Sequence, residues 1–452
     1  MQNTAQGHTP LFLDLLRRSW WRRVWTIQES VFIPTENWYN PCPMLVNCGT
    51  LEMPLDCLSG ALMQFSSEHQ STYMFNHTVW MHYLSAHSRF TLSKNMELHG
   101  LMFRSRACQA TDPRDKVYGL YGVLQHLGVE LSPPDYTKTK DEVFWDFTRE
   151  ACLIANSLSL LKLVNGPSSC LSAPSWVPDY AGEFRMGDAF LGGKPAGDSR
   201  PTFHFSEDHR TLYTSGMLVD LIESRTTLTV WHPSSDPTLS LDGEFVNLEE
   251  HDGYEQTVAA YREWYSLLIS NLSHLLPQYG NDPKLLMLAF GRALTLGITT
   301  ESLANSLWVW THILDPTEDR TEFFTEAQQH PKIKAHFYDT DDESRKRLTQ
   351  SEEWQTLCAL KTCKRTAQLT HLIWMHAARK SIFVTRRGYI GCANLEIQQG
   401  DVVGLLSGFD LPVVLRFVEE KNRFRVVGQA YIGGMMEGEK WDREKVITLA
   451  II

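Results

Sequence analysis

From residue 381 onward the apolar residues stop recurring at helical intervals. They gather instead in short runs, SIFVT, GYIGC, DVVGLLSG, PVVLRFV and RFRVVGQAYI, with turn residues such as Gly, Asp, Asn and Pro at or between their ends. Runs this short are not stable alone, and the turn residues between them fold the chain back on itself. They predict a small antiparallel sheet or barrel. A further strand-like run, TLYTSGMLVDLI at 211–222, stands far upstream and is expected to pair with this C-terminal module.

Before that point the helical period dominates. Leu13, Leu16, Trp20, Val24, Ile27 and Val31 recur at spacings of three and four and predict a helix over 10–33, stopped by Pro34. MLVNCGTLEMP reads as a strand and turn, and helices are expected at about 54–66 and 72–103. In ATDPRDKVYGLYGVLQHL, Asp112 fits a helix N-cap, Pro113 the first helical position and Asp115 a first-turn acid, so a helix runs on to about 126. Gly119 and Gly122 cost helix propensity, which close packing against another element would offset. Thr139 and Glu142 form a capping box before a further helix. APSWVPDYAG is a two-proline loop, 182–210 reads as loop, and 254–378 is largely helical around a charged segment, DPTEDRTEFFTEAQQHPK.

A chain of 452 residues exceeds one typical core, so more than one domain is expected. The net charge of -11 argues against a nucleic-acid surface over the whole chain. No run approaches the roughly 18 uninterrupted apolar residues of a membrane span. The nine cysteines show no paired CxxC framework, and the N-terminus lacks a signal-peptide pattern; reduced thiols and a cytoplasmic location are expected.

The common nucleotide, hydrolase and zinc signatures are absent. His82/His87, His371/His376 and Cys358/Cys363 are each five apart and do not share a helical face, so no metal site is predicted. In RSWWRRVWTIQES, at about 100° per residue, Trp25 lies about 40° and Arg22 about 20° from Glu29. The three form one stripe. Its plain reading is a boundary face with Glu29 ion-paired; its functional reading is a carboxylate beside an aromatic platform, suited to a ribose or to developing positive charge. Asp112 and Asp115 are explained by capping, Arg114 as an exposed first-turn residue, and Asp401 as a turn acid.

Two stretches together carry a resemblance. RSWWRRVWTIQE (Arg18, Trp21, Arg23, Trp25, Gln28, Glu29) together with RACQATDPRDKVYGLYGVL (Ala110 to Tyr118, then Gly122) resembles the second half of the fungal heterokaryon incompatibility (HET) domain. PPDYTKTKDEVFWDFTRE, PSWVPDYAG and the C-terminal QQGDVVGLLSGFDLPVVLRFVEEKNRFRVVGQAYIGGMMEGE resemble the region C-terminal to that domain in such proteins. The family is implicated in programmed cell death when unlike fungal cells fuse, and its domain is thought to be related to TIR domains. By that resemblance Glu29 is the candidate catalytic acid of NAD cleavage, with Trp25 and Arg22 as nucleotide-binding neighbours and NAD as substrate; neither metal nor cofactor is implied. Typical members carry a longer segment, with a Leu-Ser-Tyr-x-Trp-Gly stretch, before this helix. The resemblance therefore implies an N-terminally shortened member, a natural fragment or a truncated gene model.

The expected fold class is α+β: a partial TIR-like α/β HET domain at 1–126, helix and linker at 127–210, a strand then a helix-rich region at 211–380, and a C-terminal antiparallel β module at 381–452. The expected function is a non-catalytic interaction protein of allorecognition, with a protein partner or self-association, no nucleic acid and no membrane span. The alternative is a TIR-like NAD-cleaving enzyme using Glu29. A third reading makes the β module, with turns at Gly391, Gly400, Gly404 and Gly408, a small-ligand or peptide binder.

Overall fold

The computed structural model describes residues 18–31, 45–54, 57–58, 94–106, 108–126, 129–166, 172–182, 192–230, 253–298, 373 and 376–452. A 3₁₀ turn, Ser19–Arg22, leads into helix α1 (Trp25–Val31). The expected strand and turn is a hairpin of β1 (Leu45–Cys48) and β2 (Leu51–Pro54). Helices α2 (Lys94–Ser105), α3 (Asp115–Tyr118), α4 (Tyr121–His126) and α5 (Lys140–Ala155) come next. Strands β3 (Phe203–Phe205) and β4 (Leu212–Arg225) precede helices α6 (Gly253–Ser270), α7 (Leu272–Leu275) and α8 (Pro283–Leu294). The C-terminal part is all strand: β5 (Lys380–Thr385), β6 (Ile390–Asn394), β7 (Val402–Leu406), β8 (Val413–Val418), β9 (Arg423–Ile432) and β10 (Ile447–Ile451).

The upstream strand completes the C-terminal module. β4 pairs antiparallel with β5 at one end and with β7 along its middle, while β5–β6, β6–β9, β9–β8 and β8–β7 complete a closed antiparallel ring. Five of these strands come from the short C-terminal runs and the sixth from 212–225. Closure removes the open edges that a lone meander would leave. The inside is apolar: Met217, Val219 and Ile222 of β4 meet Phe383, Val403, Leu405, Val414 and Ile432 in one buried cluster. The first half of β4 extends beyond the ring, where β10 lies on one edge and β3 on the other.

Helix α5 ties the N-terminal elements to this barrel. Thr139 caps it as expected: its Oγ1 accepts from Glu142 N at 3.3 Å, and Glu142 Oε2 accepts from Thr139 N at 2.8 Å. Its buried face, Val143, Phe144, Phe147, Thr148, Ala151 and Cys152, meets the proline loop. There the Tyr180 ring stands edge-on to Phe144 and Phe147 at 5.2 and 5.3 Å, and its hydroxyl lies 2.9 Å from that of Thr148. Trp176 is fully buried and donates from Nε1 to Arg210 O at 3.3 Å. Ser175 of the same loop accepts from Val426 N of β9 and donates to Ile452 O. The loop is thus a packed junction between helix and barrel.

Three expectations are corrected. The helix over 10–33 is interrupted within its described part: Arg23 is extended (φ -84°, ψ 132°) and bridges Gln109. The helix expected to run to 126 is split between α3 and α4 at Gly119 and Leu120. Phe203–Phe205, placed in a loop, is a strand because β4 offers it an edge. The strands described before residue 127 are the β1–β2 hairpin. The helices expected at 54–66 and over most of 72–93 and 299–372 lie largely outside the described residues.

Trp176 reports on the helix–barrel junction. Trp176→Ala is expected to cost about 3–5 kcal/mol, the range for emptying a large buried aromatic site. Urea unfolding tracked by circular dichroism measures it.

Candidate functional site

The break at Arg23 changes the geometry of the opening stretch. Val24 N donates to Gln109 O at 3.0 Å, tying the start of α1 to the segment after α2. Thr26 Oγ1 donates to Trp20 O and Arg23 O at 3.0 and 2.6 Å, holding the bend. Arg22 therefore ends a 3₁₀ turn and is not on the helix of Trp25 and Glu29, so the single stripe of three is corrected. Its side chain lies outside the described residues. Trp25 and Glu29 are one turn apart on α1, yet each is bonded elsewhere. Glu29 is exposed, and its Oε2 accepts from Trp20 Nε1 at 3.1 Å. The ion pair expected for Glu29 gives way to this indole bond. Trp25 Nε1 donates to Asp115 Oδ2 at 3.1 Å.

Asp115 belongs to TDPRDKVYG, where every charged side chain has a partner. Asp112 Oδ1 accepts from Arg114 N at 2.9 Å, a local turn bond, and the carboxylate then takes Arg114 Nε at 3.0 Å and a terminal nitrogen at 2.6 Å. The other terminal nitrogen donates to Tyr136 O at 2.6 Å and Lys138 O at 2.9 Å, and the guanidinium lies 5.1 Å from the Tyr136 ring centre. Arg114 is half-buried and spans two segments, which corrects its reading as an exposed first-turn residue. Asp115 Oδ1 accepts from Tyr136 Oη at 2.7 Å. Tyr118 Oη donates to Asp135 O and accepts from Asp135 N, at 3.0 and 3.1 Å. Lys116 is buried and donates to Arg106 O at 3.0 Å and to Cys108 O.

The arrangement is a clasp. One short segment grips α1 through Asp115, the carbonyls of Arg106 and Cys108 through Lys116, and the 135–138 loop through Arg114, Asp115 and Tyr118. Gln28 Nε2 adds a bond to Gly119 O at 2.6 Å. Gly119 is there because space is short: a Cβ would sit 3.0 Å from Val24 Cγ1 and 2.7 Å from Asp115 O. The compensation expected for a helix glycine is this contact. Tyr118, Tyr136 and Gln28 lie in the HET-like stretches, but the sequence pattern gives them no site role. Their signal is the crowding of polar residues around a single cap, more than capping alone requires.

The electrostatics agree with a holding role. The Arg114 guanidinium keeps the Asp112 carboxyl below the usual range. Burial pushes the Lys116 ammonium down. Burial, then the bond to Asp115, pushes the Tyr136 hydroxyl up to about 12. The buried thiols of Cys108 and Cys152 are pushed by desolvation up to about 11 and about 12, the opposite of an activated nucleophile. Among the described residues no group of three or more His, Cys, Asp or Glu could hold a metal ion. Of the three His and Cys pairs, only His376 is described. Asp401, read as a turn acid, is buried and paired with Arg416 through Nε at 2.8 Å and a terminal nitrogen at 2.9 Å.

The clasp carries two expected outcomes. Lys116→Met leaves two carbonyls without their donor and is expected to cost about 1–3 kcal/mol, read by urea unfolding. Because the Asp112 carboxyl is depressed in the fold, its contribution is present above the ordinary carboxylate range and lost as pH falls below about 4. The Tyr136 amide and ring signals, monitored by NMR through an acid titration, should shift there in the wild type. The shift should be smaller in Asp112→Asn, where the carboxylate that holds Arg114 against Tyr136 no longer titrates.

The comparisons with known proteins agree on one family. The Het-6 beta-barrel domain matches residues 318–449. β5 to β9 lie inside that match, whereas β4, which closes the barrel, lies outside it. Heterokaryon incompatibility protein 6, OR allele, of Neurospora crassa is 23% identical over 480 aligned positions, covering 95% of this chain and 66% of that relative. The chain thus spans just under two thirds of the relative's length. No solved structure matches. The chain thus carries a match to the Het-6 beta-barrel domain and is similar along nearly its whole length to a heterokaryon incompatibility protein.

Proposed function

We propose that the chain serves fungal allorecognition as a non-catalytic interaction protein, associating with a protein partner or with itself in the cytoplasm and taking part in programmed cell death. The observation that carries this reading is the clasp. The polar groups of the HET-like TDPRDKVYG segment are spent on holding elements together. What they leave outside is aromatic: Trp25 is 37% and Tyr136 49% exposed, and both are fixed by bonds to the one Asp115 carboxylate. Exposed, immobilised aromatics are the side chains that anchor protein interfaces. Among the described residues no helix is long and apolar enough to cross a membrane.

A second reading keeps the TIR-like comparison: NAD cleavage with Glu29 as the acid. It is favoured by Glu29 standing exposed one turn from Trp25. Against it, the carboxylate is engaged by Trp20 and Trp25 by Asp115.

The two readings separate in one pair of measurements. Nicotinamide release from NAD should not exceed the buffer rate for either wild type or Glu29→Ala. Release by wild type that disappears in Glu29→Ala would establish the enzyme instead. Light scattering should show association that Trp25→Arg with Tyr136→Arg weakens at least tenfold. A strictly monomeric wild type, together with an unaltered incompatibility reaction in cells carrying the double variant, would rule out the association surface.

A further inference from the structure

The barrel wall has a notch. β10 pairs with β4 from Leu212 to Gly216, and β5 pairs with it from Ile222 to Arg225. β7 meets Gly216 on the edge opposite β10, and Ile222 N donates to Asp401 O on the edge opposite β5. β10 and β5 therefore lie in line along the same edge. Neither reaches Met217–Asp220, a gap of about 13 Å at the usual strand rise. Beyond it Arg386 N already donates to Leu221 O.

The open groups can be assigned. Ser215 uses its N–H and C=O on the β3 and β7 edge, donating to Thr202 O and accepting from Ser407 N. Alternation along an antiparallel strand turns those of Gly216 and Leu218 to the other edge. Gly216 meets Ile447 there, and among the described residues no strand lies opposite Leu218 on that edge. A register shift comes immediately after, between Leu218 and Asp220, as bulges do where pairing is redirected.

This notch is the floor of a cleft of about 410 Å³, within the roughly 300–1,000 Å³ range of ligand sites. Trp441 forms one wall, and its Nε1–H is buried with no acceptor among the described residues. Of the lining charges, Asp442 is paired with Lys445 at 2.7 Å, Glu439 accepts from Glu437 N at 2.8 Å, and Lys440 lies 4.9 Å from the centre of the Tyr389 ring. The guanidinium of Arg387 is exposed and has no ion pair among the described residues. The side chain of Leu218 is 37% exposed beside it.

We propose that this cleft binds an extended peptide segment of a partner protein, one acidic residue flanked by apolar ones. Its backbone pairs with Leu218 across the gap between β10 and β5, its carboxylate meets Arg387, and its apolar side chains lie on Leu218 and Trp441. Extended backbone is what an interrupted ladder lacks, and Arg387, which has neither an ion pair nor a ring contact among the described residues, selects the acid. The inference goes beyond the association reading and uses a face remote in sequence from the clasp.

Fluorescence polarisation of the full chain tests it, with fluorescein-labelled Ser-Val-Val-Glu-Val-Val-Ser and the same peptide carrying Gln or Lys at the centre. At about 0.15 M salt, where the Debye length is about 8 Å, the net charge of the chain is screened. The Glu peptide should bind saturably and at least tenfold more tightly than the Lys peptide. Arg387→Glu, a change at an exposed side chain, should reverse that order. N-methylation of the valine before the Glu should weaken binding tenfold. No saturable binding, or an order unchanged by Arg387→Glu, overturns the proposal. So does equal competition by N-acetylglutamate methylamide, which has no extended backbone. Failure here leaves the allorecognition reading standing, because light scattering and the cellular incompatibility reaction test that separately.

Discussion

Strand β4 gives both of its edges to other strands, and most of the architecture depends on that. A strand left open presents a row of unpaired N–H and C=O groups, which either bind another chain or cost stability when buried. Here β5 and β10 take one edge, and β7 and β3 the other. The pairing turns a C-terminal meander into a closed barrel with an apolar interior. It also fixes the outer face against which the helices pack. Tyr279 of the 3₁₀ turn before α8 accepts from Ile390 N and donates to Gly433 O, and Gly433 lies so close that a Cβ there would sit 3.0 Å from Ala289 of α8.

A second assembly hangs from this one through α5. The helix starts just after the 135–138 loop that Arg114 holds, and its buried face packs on the loop of Trp176 and Tyr180. That loop in turn is bonded to β9 through Ser175. The order of support is α1, clasp, α5, proline loop, barrel. The clasp itself is polar. Its buried cation is matched to main-chain carbonyls and its acids to an arginine, an indole and a phenol, so little is left unsatisfied. This is why the TDPRDKVYG segment is a structural joint, and why its surface consequence is a pair of fixed aromatics.

Legibility in the sequence tracked the range of the interactions. The capping box at Thr139 and Glu142 is readable because donor and acceptor are three residues apart. The C-terminal strands are readable from their turns, and so is the pairing of 211–222 with them. The helix over 10–33 misses its break at Arg23 because the interruption comes from Gln109, and the next helix misses its break at Gly119 because the packing there comes from Val24. Asp401 gives no local sign of its partner, since Arg416 reaches it from the neighbouring strand β8. Of the candidate site, Trp25 and Glu29 are visible as a pair on a helix. Their separate engagement by Asp115 and Trp20 is not, because a helical wheel carries no information about residues beyond its own helix.

What the sequence determined by itself was local: the capping box of α5, the change from helical to strand periodicity, the apolar face of α5, and the two HET-like stretches around Trp25 and Asp112, though α3 starts at Asp115 and Asp112 is not its N-cap. The tertiary structure alone decided which acids were already spent, where a helix must break, how the barrel closes and where its wall stays open. The physical reason is that backbone pairing and buried charge are settled between segments. A strand edge or a carboxylate acquires its role only when a distant part of the chain arrives to satisfy it, or fails to.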